Sequence, residues 1–382
     1  MRMKSSETHY YQLDILRAVA ILSVFSFHWY GISFGVDHLA WSGWWRDWNS
    51  APNSLFLWLY PLSFGWVGVS LFFVISGFCI HLGWASGKQL TTGQFYWRRF
   101  WRIVPPYWLI LSFFFSRSWR VDTMPAGDFV SHFFFFHNLS GDYFFGISQS
   151  FWSLAVEVQF YLIYPLLLLW RKRWSIKKIL WAGLALGIAG RIIPALLFHK
   201  ISDDPVIFSN TWVLWFDWLL GAAIAERIGC GKLLFQHPAR WLGICGVTFL
   251  FASQFLPLAI FSFSLASVCA AICVEQCLLH PLNLHRHANR VLTLLGICSY
   301  SFYLLHQRIL DSIIYHWPSK TFLGHMEAGF CALLFVSILS GLSYWSLEKT
   351  SLRIGKHWGY RLFPGKKQTS LDLAPKGIGL PI

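Results

Sequence analysis

Long apolar runs, each closed by a short polar connection, repeat along the whole chain. The runs are about 17 to 25 residues long, the length an α-helix needs to cross a hydrocarbon core. They lack the period-two alternation of a membrane β-barrel, so helices are the predicted elements. Ten spans account for the pattern, at about 13–34, 60–84, 104–117, 151–170, 179–198, 211–227, 241–257, 259–280, 291–315 and 326–347. The third is short, and the apolar stretch 129–136 extends it. The expected fold is an all-α integral membrane protein, a bundle of about ten transmembrane helices. Residues 1–355 form the membrane domain, and 356–382 a flexible tail that turns polar and Gly/Pro-rich from Pro364 onward. No internal repeat and no segment long enough for a separate soluble catalytic domain is visible. Any chemistry is therefore intramembrane or at the membrane surfaces.

Charge fixes the expected orientation. Lysines and arginines collect in every second connection: Arg2 and Lys4; Lys88, Arg98, Arg99 and Arg102; Arg171 to Arg173 with Lys177 and Lys178; Arg227, Lys232 and Arg240; Arg286 and Arg290; and Arg353, Lys356, Arg361, Lys366 and Lys367. These connections are expected to face the cytoplasm, with both termini inside. The opposite loops are poorer in basic residues, as in 199–210 with Asp203 and Asp204, although Arg120 lies in 118–150. A composition 55% hydrophobic and 13% charged excludes a pair of soluble domains. The net charge of +14 raises nucleic acid as a partner. Its clustering between apolar runs is explained instead by topology and anionic lipid headgroups, and no nucleic-acid partner is expected. Trp41, Trp44, Trp45 and Trp48 fit an interfacial belt. The first run is too long for a signal-peptide core and lacks a cleavage site, so it is expected to stay as an anchor. Among eight cysteines, Cys269, Cys273 and Cys277 share one helix stripe, which packing explains, and no metal is expected.

Ionisable groups inside apolar runs are functional candidates, because burying them costs several kcal/mol unless a partner or a watery cavity receives them. Arg17 and His28 lie eleven positions apart, three helical turns, so both point the same way about 16 Å apart along one helix. Asp14 precedes Arg17 by three residues and is placed to pair with it. Gly68, Ser70, Ser76 and Gly77 interrupt a bulky apolar helix, admitting either a neighbouring helix or a ligand. Arg99 and Arg102, one turn apart among aromatics, would suit a phosphorylated cofactor; the positive-inside rule and snorkelling also explain them. Glu157 has Ser153 and Tyr161 on its own face at i−4 and i+4, which fits a catalytic acid or a satisfied structural carboxylate. His306 reads as a site residue or a hydrogen-bonded core histidine. Arg191, Asp217 and Glu275 are intramembrane charges without an assignment.

Six segments in one order carry a resemblance: LDILRAVAILSVFSFH, GVSLFFVISGF, FYWRRFWRIVPPYW, FWSLAVEVQFYLIYPLL, YSFYLLH and YWSLEKTSLR. Together, over roughly residues 10–355, they resemble the membrane acyltransferase-3 family, whose members O-acylate carbohydrates and some other hydroxyl compounds. The resemblance implies His28 as catalytic base, Arg99 and Arg102 as contacts to an acyl-coenzyme A donor, and Glu348 as the acid of the terminal motif. It also implies a multi-pass protein of the inner (plasma) membrane. The family usually writes Ser-Val-Glu-Glu-Gln-Phe-Tyr where this chain has Ala155-Val156-Glu157-Val158-Gln159-Phe160-Tyr161, so one carboxylate of a pair is absent. Thr350 stands where proline often follows Glu-Lys.

The expected function is transfer of an acyl group, acetyl foremost, from cytoplasmic acyl-CoA (acetyl-CoA) to a hydroxyl of a cell-surface, exported or lipid-linked carbohydrate. His28 and Glu157 form the catalytic set, Arg17, Arg99, Arg102 and Ser76 the donor-binding set, and Asp14, His306 and Glu348 complete the motifs. A neutral imidazole suits general-base work near neutrality. Direct transfer is preferred over an acyl-enzyme on Ser76 or His28. The alternative from another class is a secondary transporter or flippase-like protein, in which His28, Glu157 and His306 line an alternating-access path.

Overall fold

The structure is a computed structural model and describes residues 10–35, 59–87, 90–119, 125–198, 205–254 and 256–363. The tryptophans of the first long loop, Asp203, Asp204, Arg120 and the polar tail fall outside them. Among the described residues every regular element is helical. The helices are α1 (Tyr11–Phe34), α2 (Val67–Ala85), α3 (Thr92–Trp119), α4 (Ala126–Phe133), α5 (Trp152–Arg171), α6 (Ile176–Phe198), α7 (Thr211–Gly229), α8 (Pro238–Gln254), α9 (Ser262–Leu279), α10 (Arg286–Ile297), α11 (Ser299–His316), α12 (Phe322–Ser343) and α13 (Lys349–Leu362). A π-helical turn, Tyr344–Glu348, joins the last two.

Seven described stretches are long and apolar enough to cross a membrane: Tyr11–Phe34, Tyr60–Ala85, Trp152–Arg171, Ile176–Leu197, Pro205–Gly229, Leu258–Leu279 and Phe322–Leu362. The remaining expected spans also fall on helices, but of a different kind. The third begins twelve residues earlier than its apolar run, because α3 carries the Arg98–Arg102 segment as continuous helix. The expected span 291–315 breaks at Cys298 into α10 and α11.

Small residues set the closest approaches. Gly77 lies on the Trp218 carbonyl and Gly221 on that of Val74, so α2 and α7 meet backbone to backbone, and a Cβ at either position would collide. Gly68 meets the Ala20 carbonyl on α1, and Gly296 of α10 meets that of Asp14. The glycines of the small-residue stretch are thus helix contacts, and Ser76 between them has a different neighbour, described below.

At the end of the bundle that carries the basic clusters, Glu226 of α7 ties three helices together. It accepts from Arg171 Nε at 2.6 Å and Nη2 at 2.7 Å, and from His81 Nε2 at 2.9 Å. His81 is fully buried, its Nδ1 lies 3.3 Å from the Tyr164 hydroxyl, and its ring stacks on Trp84. Glu275 also acts structurally, receiving the Leu234 and Phe235 amides at 2.5 and 3.0 Å. Arg191 is buried, with Nη1 on Ser264 Oγ at 3.1 Å and the Phe263 ring against its guanidinium.

The stretch 125–151 does not add a span; it folds back into the bundle between α3 and α5. Side chains of those helices hold its carbonyls: Tyr107 that of His132 at 3.1 Å, Trp108 that of Phe133 at 3.0 Å, and Gln159 that of Phe135 at 2.8 Å. Gln159 lies seven residues into α5, about 10 Å from its start. Non-helical backbone at such depth survives only where protein satisfies it. Phe135 sits at φ +59°, a left-handed conformation that costs a bulky side chain about 1 to 3 kcal/mol. Its stack on Tyr107 and the Gln159 bond hold it there. Nearby, the buried rings of His132 and His137 lie parallel, centroids 3.7 Å apart, with His132 Nδ1 2.9 Å from Asp128 Oδ1.

Two outcomes are expected. Glu226→Ala lowers the thermal midpoint, and its effect and that of Arg171→Ala fall short of additive in the double variant, by ~1 to 3 kcal/mol of coupling. Burial and the neighbouring His132 ring push the His137 imidazole well below its ordinary pKa. An unfolded chain takes up that proton near pH 6.5 and the folded one resists it, so stability is full above about pH 6.5 and declines as the solution is acidified below it. His137→Phe flattens that decline in thermal melts at graded pH.

Candidate active site

α1 carries the first groups. Asp14 is buried and its Oδ1 accepts from Arg17 Nη1 at 2.8 Å, the pairing that their spacing predicts. The other end of the Arg17 fork, Nη2, reaches Cys79 Sγ on α2 at 3.3 Å. Three turns farther along, His28 makes no hydrogen bond among the described residues. Its neighbour Trp29 donates from Nε1 to the His325 carbonyl at 2.9 Å, with Gly329 under the indole, which fixes this end of α1 against α12.

Ser76, Glu157 and Tyr161 form a closed triangle. Ser76 Oγ and the Tyr161 hydroxyl both donate to Glu157 Oε1, at 2.8 and 2.5 Å, and lie 3.3 Å from each other. Tyr161 thus bonds Glu157 as its spacing allows. Ser153 instead turns to α11, where its Oγ is 2.7 Å from the Tyr303 hydroxyl. The Arg99 guanidinium lies against the Phe95 and Tyr161 rings, at 6.0 and 5.7 Å, and Glu157, Arg102 and Cys79 are its charged or polarizable neighbours. Arg99 Nε has no partner among the described residues.

The π turn brings Glu348 to the same region. It is buried, accepts from Ser301 Oγ at 3.2 Å, and has Arg102 and Arg17 as its nearest cations. The wide turn displaces one residue from α-helical register, a distortion common at functional sites. Arg17 of α1 and Arg99 and Arg102 of α3 therefore converge on Asp14 of α1, Glu157 of α5 and Glu348 of the π turn. The six balance in formal charge.

His306 stands apart from this cluster and beside His28, with ring centroids 5.3 Å apart. Its Nδ1 lies 2.8 Å from the Tyr303 carbonyl. A carbonyl only accepts, so Nδ1 carries the proton and Nε2 of the neutral ring is the lone-pair nitrogen. That Nε2 is buried and has no partner among the described residues. The Tyr303 hydroxyl donates to the Ser150 carbonyl and meets Ser153, one turn from Glu157. Tyr303 thus ties α11, which carries His306, to the start of the helix that carries Glu157. Cys79, Ser301 and Tyr303 had no assignment in the sequence; Ser301 and Tyr303 lie inside the YSFYLLH segment, and Cys79 directly follows GVSLFFVISGF.

A sequence profile of the acyltransferase domain family matches residues 10–345. The chain belongs to the acyltransferase-3 family. The family match takes in every residue of this cluster except Glu348, which lies just past its end. Among curated relatives, the peptidoglycan O-acetyltransferase OatA of Listeria monocytogenes is 32% identical over 191 residues, 44% of this chain and 31% of that protein. YrhL of Bacillus subtilis, named as a candidate peptidoglycan O-acetyltransferase, is 25% identical over 88% of this chain and 54% of its own length. The exopolysaccharide production protein ExoZ of Rhizobium meliloti is 26% identical over 78% of this chain and 92% of its own. The chain thus spans about a third and about half of the first two. No solved structure matches it.

The triangle gives a test of its own. Tyr161→Phe leaves Glu157 Oε1 with a single donor and lowers stability by ~1 to 3 kcal/mol in thermal melts, while Ser153→Ala leaves the triangle intact and costs less.

Proposed function

We propose that this chain is an integral membrane O-acyltransferase that moves an acetyl group from acyl-CoA to a carbohydrate hydroxyl. The observation that carries the reading is the histidine pair: His28, which makes no hydrogen bond among the described residues, faces a second imidazole whose tautomer is fixed, three turns along one helix from an arginine cluster. The names of the three relatives support a carbohydrate acceptor.

In this reading Arg99 and Arg102 hold the donor's phosphates at the basic end, where guanidinium forks bind phosphate oxygens in pairs. The pantetheine arm runs past Arg17 and Ser76, and the roughly 16 Å between Arg17 and His28 is the distance it has to bridge. His28 takes the proton of the acceptor hydroxyl as its oxygen attacks the thioester carbonyl. The tetrahedral intermediate collapses, the carbon–sulfur bond breaks, and the coenzyme thiolate takes that proton back from the imidazolium. His306 is a positioning residue: when the His28 ring turns toward it, its Nε2 accepts the N–H of the His28 nitrogen turned away from substrate, which keeps the reactive nitrogen basic. Glu157 holds Ser76 and Tyr161 in place beside the donor path, and Glu348 with Asp14 offsets the arginines when no donor is bound. The basic end faces the cytoplasm in this scheme, the compartment that holds acyl-CoA, and the membrane is the plasma membrane.

The experiment is thiol release from acetyl-CoA by the full chain reconstituted in lipid with acceptor glycans. His28→Ala lowers kcat by at least about 100-fold with donor affinity retained. Arg99→Ala raises the donor KM by about 10-fold or more. His306→Gln, which keeps a side-chain acceptor near His28, retains more activity than His306→Leu. Failure of wild type to bind any acyl-CoA removes the donor site and overturns the reading.

A further inference from the structure

At the basic end, outside the cluster just described, α10 lies along the start of α1. Between them is a surface groove of about 350 Å³ lined by Tyr11, Arg286, Asn289, Arg290, Thr293 and Leu294. Five of these share one face of α10, at spacings of three and four residues. Arg286 and Arg290 are one turn apart and exposed, and neither makes an ion pair or a hydrogen bond among the described residues. Two cations so placed repel each other unless an anion joins them. Asn289 Oδ1 is buried beside them without a partner among the described residues. A half-turn of that amide places its N–H donors there instead.

The other half of the groove is apolar. Leu294 is 46% exposed, and Leu282, Leu284 and Val291 on or just before the same helix are 37, 38 and 56% exposed. A helix face that carries two guanidiniums and, one turn farther on, a bare aliphatic chain gives the groove a polar and an apolar side, as suits the boundary of water and hydrocarbon. A free phosphate would use only the first side; an ester of phosphate with acyl chains uses both. We propose that this groove binds an anionic phospholipid of the adjoining leaflet, with Arg286 and Arg290 on the phosphate oxygens and Leu294 and the Tyr11 ring against the first carbons of its chains. Because Gly296 of α10 rests on the Asp14 carbonyl, an occupied groove braces the helix that carries Asp14 and Arg17. The binding claim does not depend on the catalytic reading.

The test is lipid retention by the purified full chain, read by native mass spectrometry after exchange into phosphatidylglycerol or phosphatidylcholine. Wild type is expected to retain one phosphatidylglycerol that Arg286→Gln/Arg290→Gln loses, with about 30-fold weaker binding. Lys172→Gln/Arg173→Gln, with the same charge removed from another exposed turn of this end, retains it. All four side chains are exposed, so neither variant empties a packed site. Equal loss in both variants would reduce the effect to general charge and overturn the site. So would equal retention of phosphatidylcholine, or displacement of the lipid by millimolar inorganic phosphate, which would mark a site for soluble phosphates.

Discussion

A charge inside a helical bundle in lipid has no water to hydrate it, and the arrangement of this protein follows from that constraint. Asp14 takes Arg17 from its own helix, Glu157 takes Ser76 from α2 and Glu348 takes Ser301 from α11, with Arg99 beside Glu157 and Arg102 beside Glu348, so moving α2 or α11 leaves a buried carboxylate without that donor. The same holds at the basic end, where Glu226 takes Arg171 and His81 from two helices at once. Backbone contacts at Gly68, Gly77 and Gly221 bring the helices close enough for these short side chains to reach.

The two departures from regular helix serve that end. The π turn at Tyr344–Glu348 swings a carboxylate into the arginine cluster, and the folded-back stretch 125–151 carries Ser150 to the Tyr303 hydroxyl. Both place polar groups where a straight helix would leave them facing lipid or a neighbouring turn. The strain at Phe135 is held by bonds from α3 and α5 and by its ring stack.

Family membership and the site geometry bear on different parts of the chain. The profile match ends at residue 345, before α13, which is stitched to α3 by Trp97 Nε1 on the Gly355 carbonyl at 2.7 Å and by Ser351 on the Trp101 carbonyl. α13 therefore anchors the helix that carries Arg99 and Arg102 from beyond the matched residues 10–345.

Hydropathy determined the helical class and the seven described stretches long and apolar enough to cross a membrane, because the length of an apolar helical run has to match the thickness of a bilayer. Helical periodicity determined the Asp14–Arg17 pair and the common face of Arg17 and His28, since both are properties of one helix. The break at Cys298 and the fold-back at 125–151 were not legible there: an apolar run reads the same whether it crosses, kinks or returns. Nor was the choice Ser153 makes between Glu157 on its own helix and Tyr303 on another, which depends on what packs beside it. Ser76 meets Glu157 across 81 residues and Ser301 meets Glu348 across 47, distances over which one sequence carries no register. Only the tertiary structure put His306 beside His28, because the packing of α11 against α1 sets which of their faces meet.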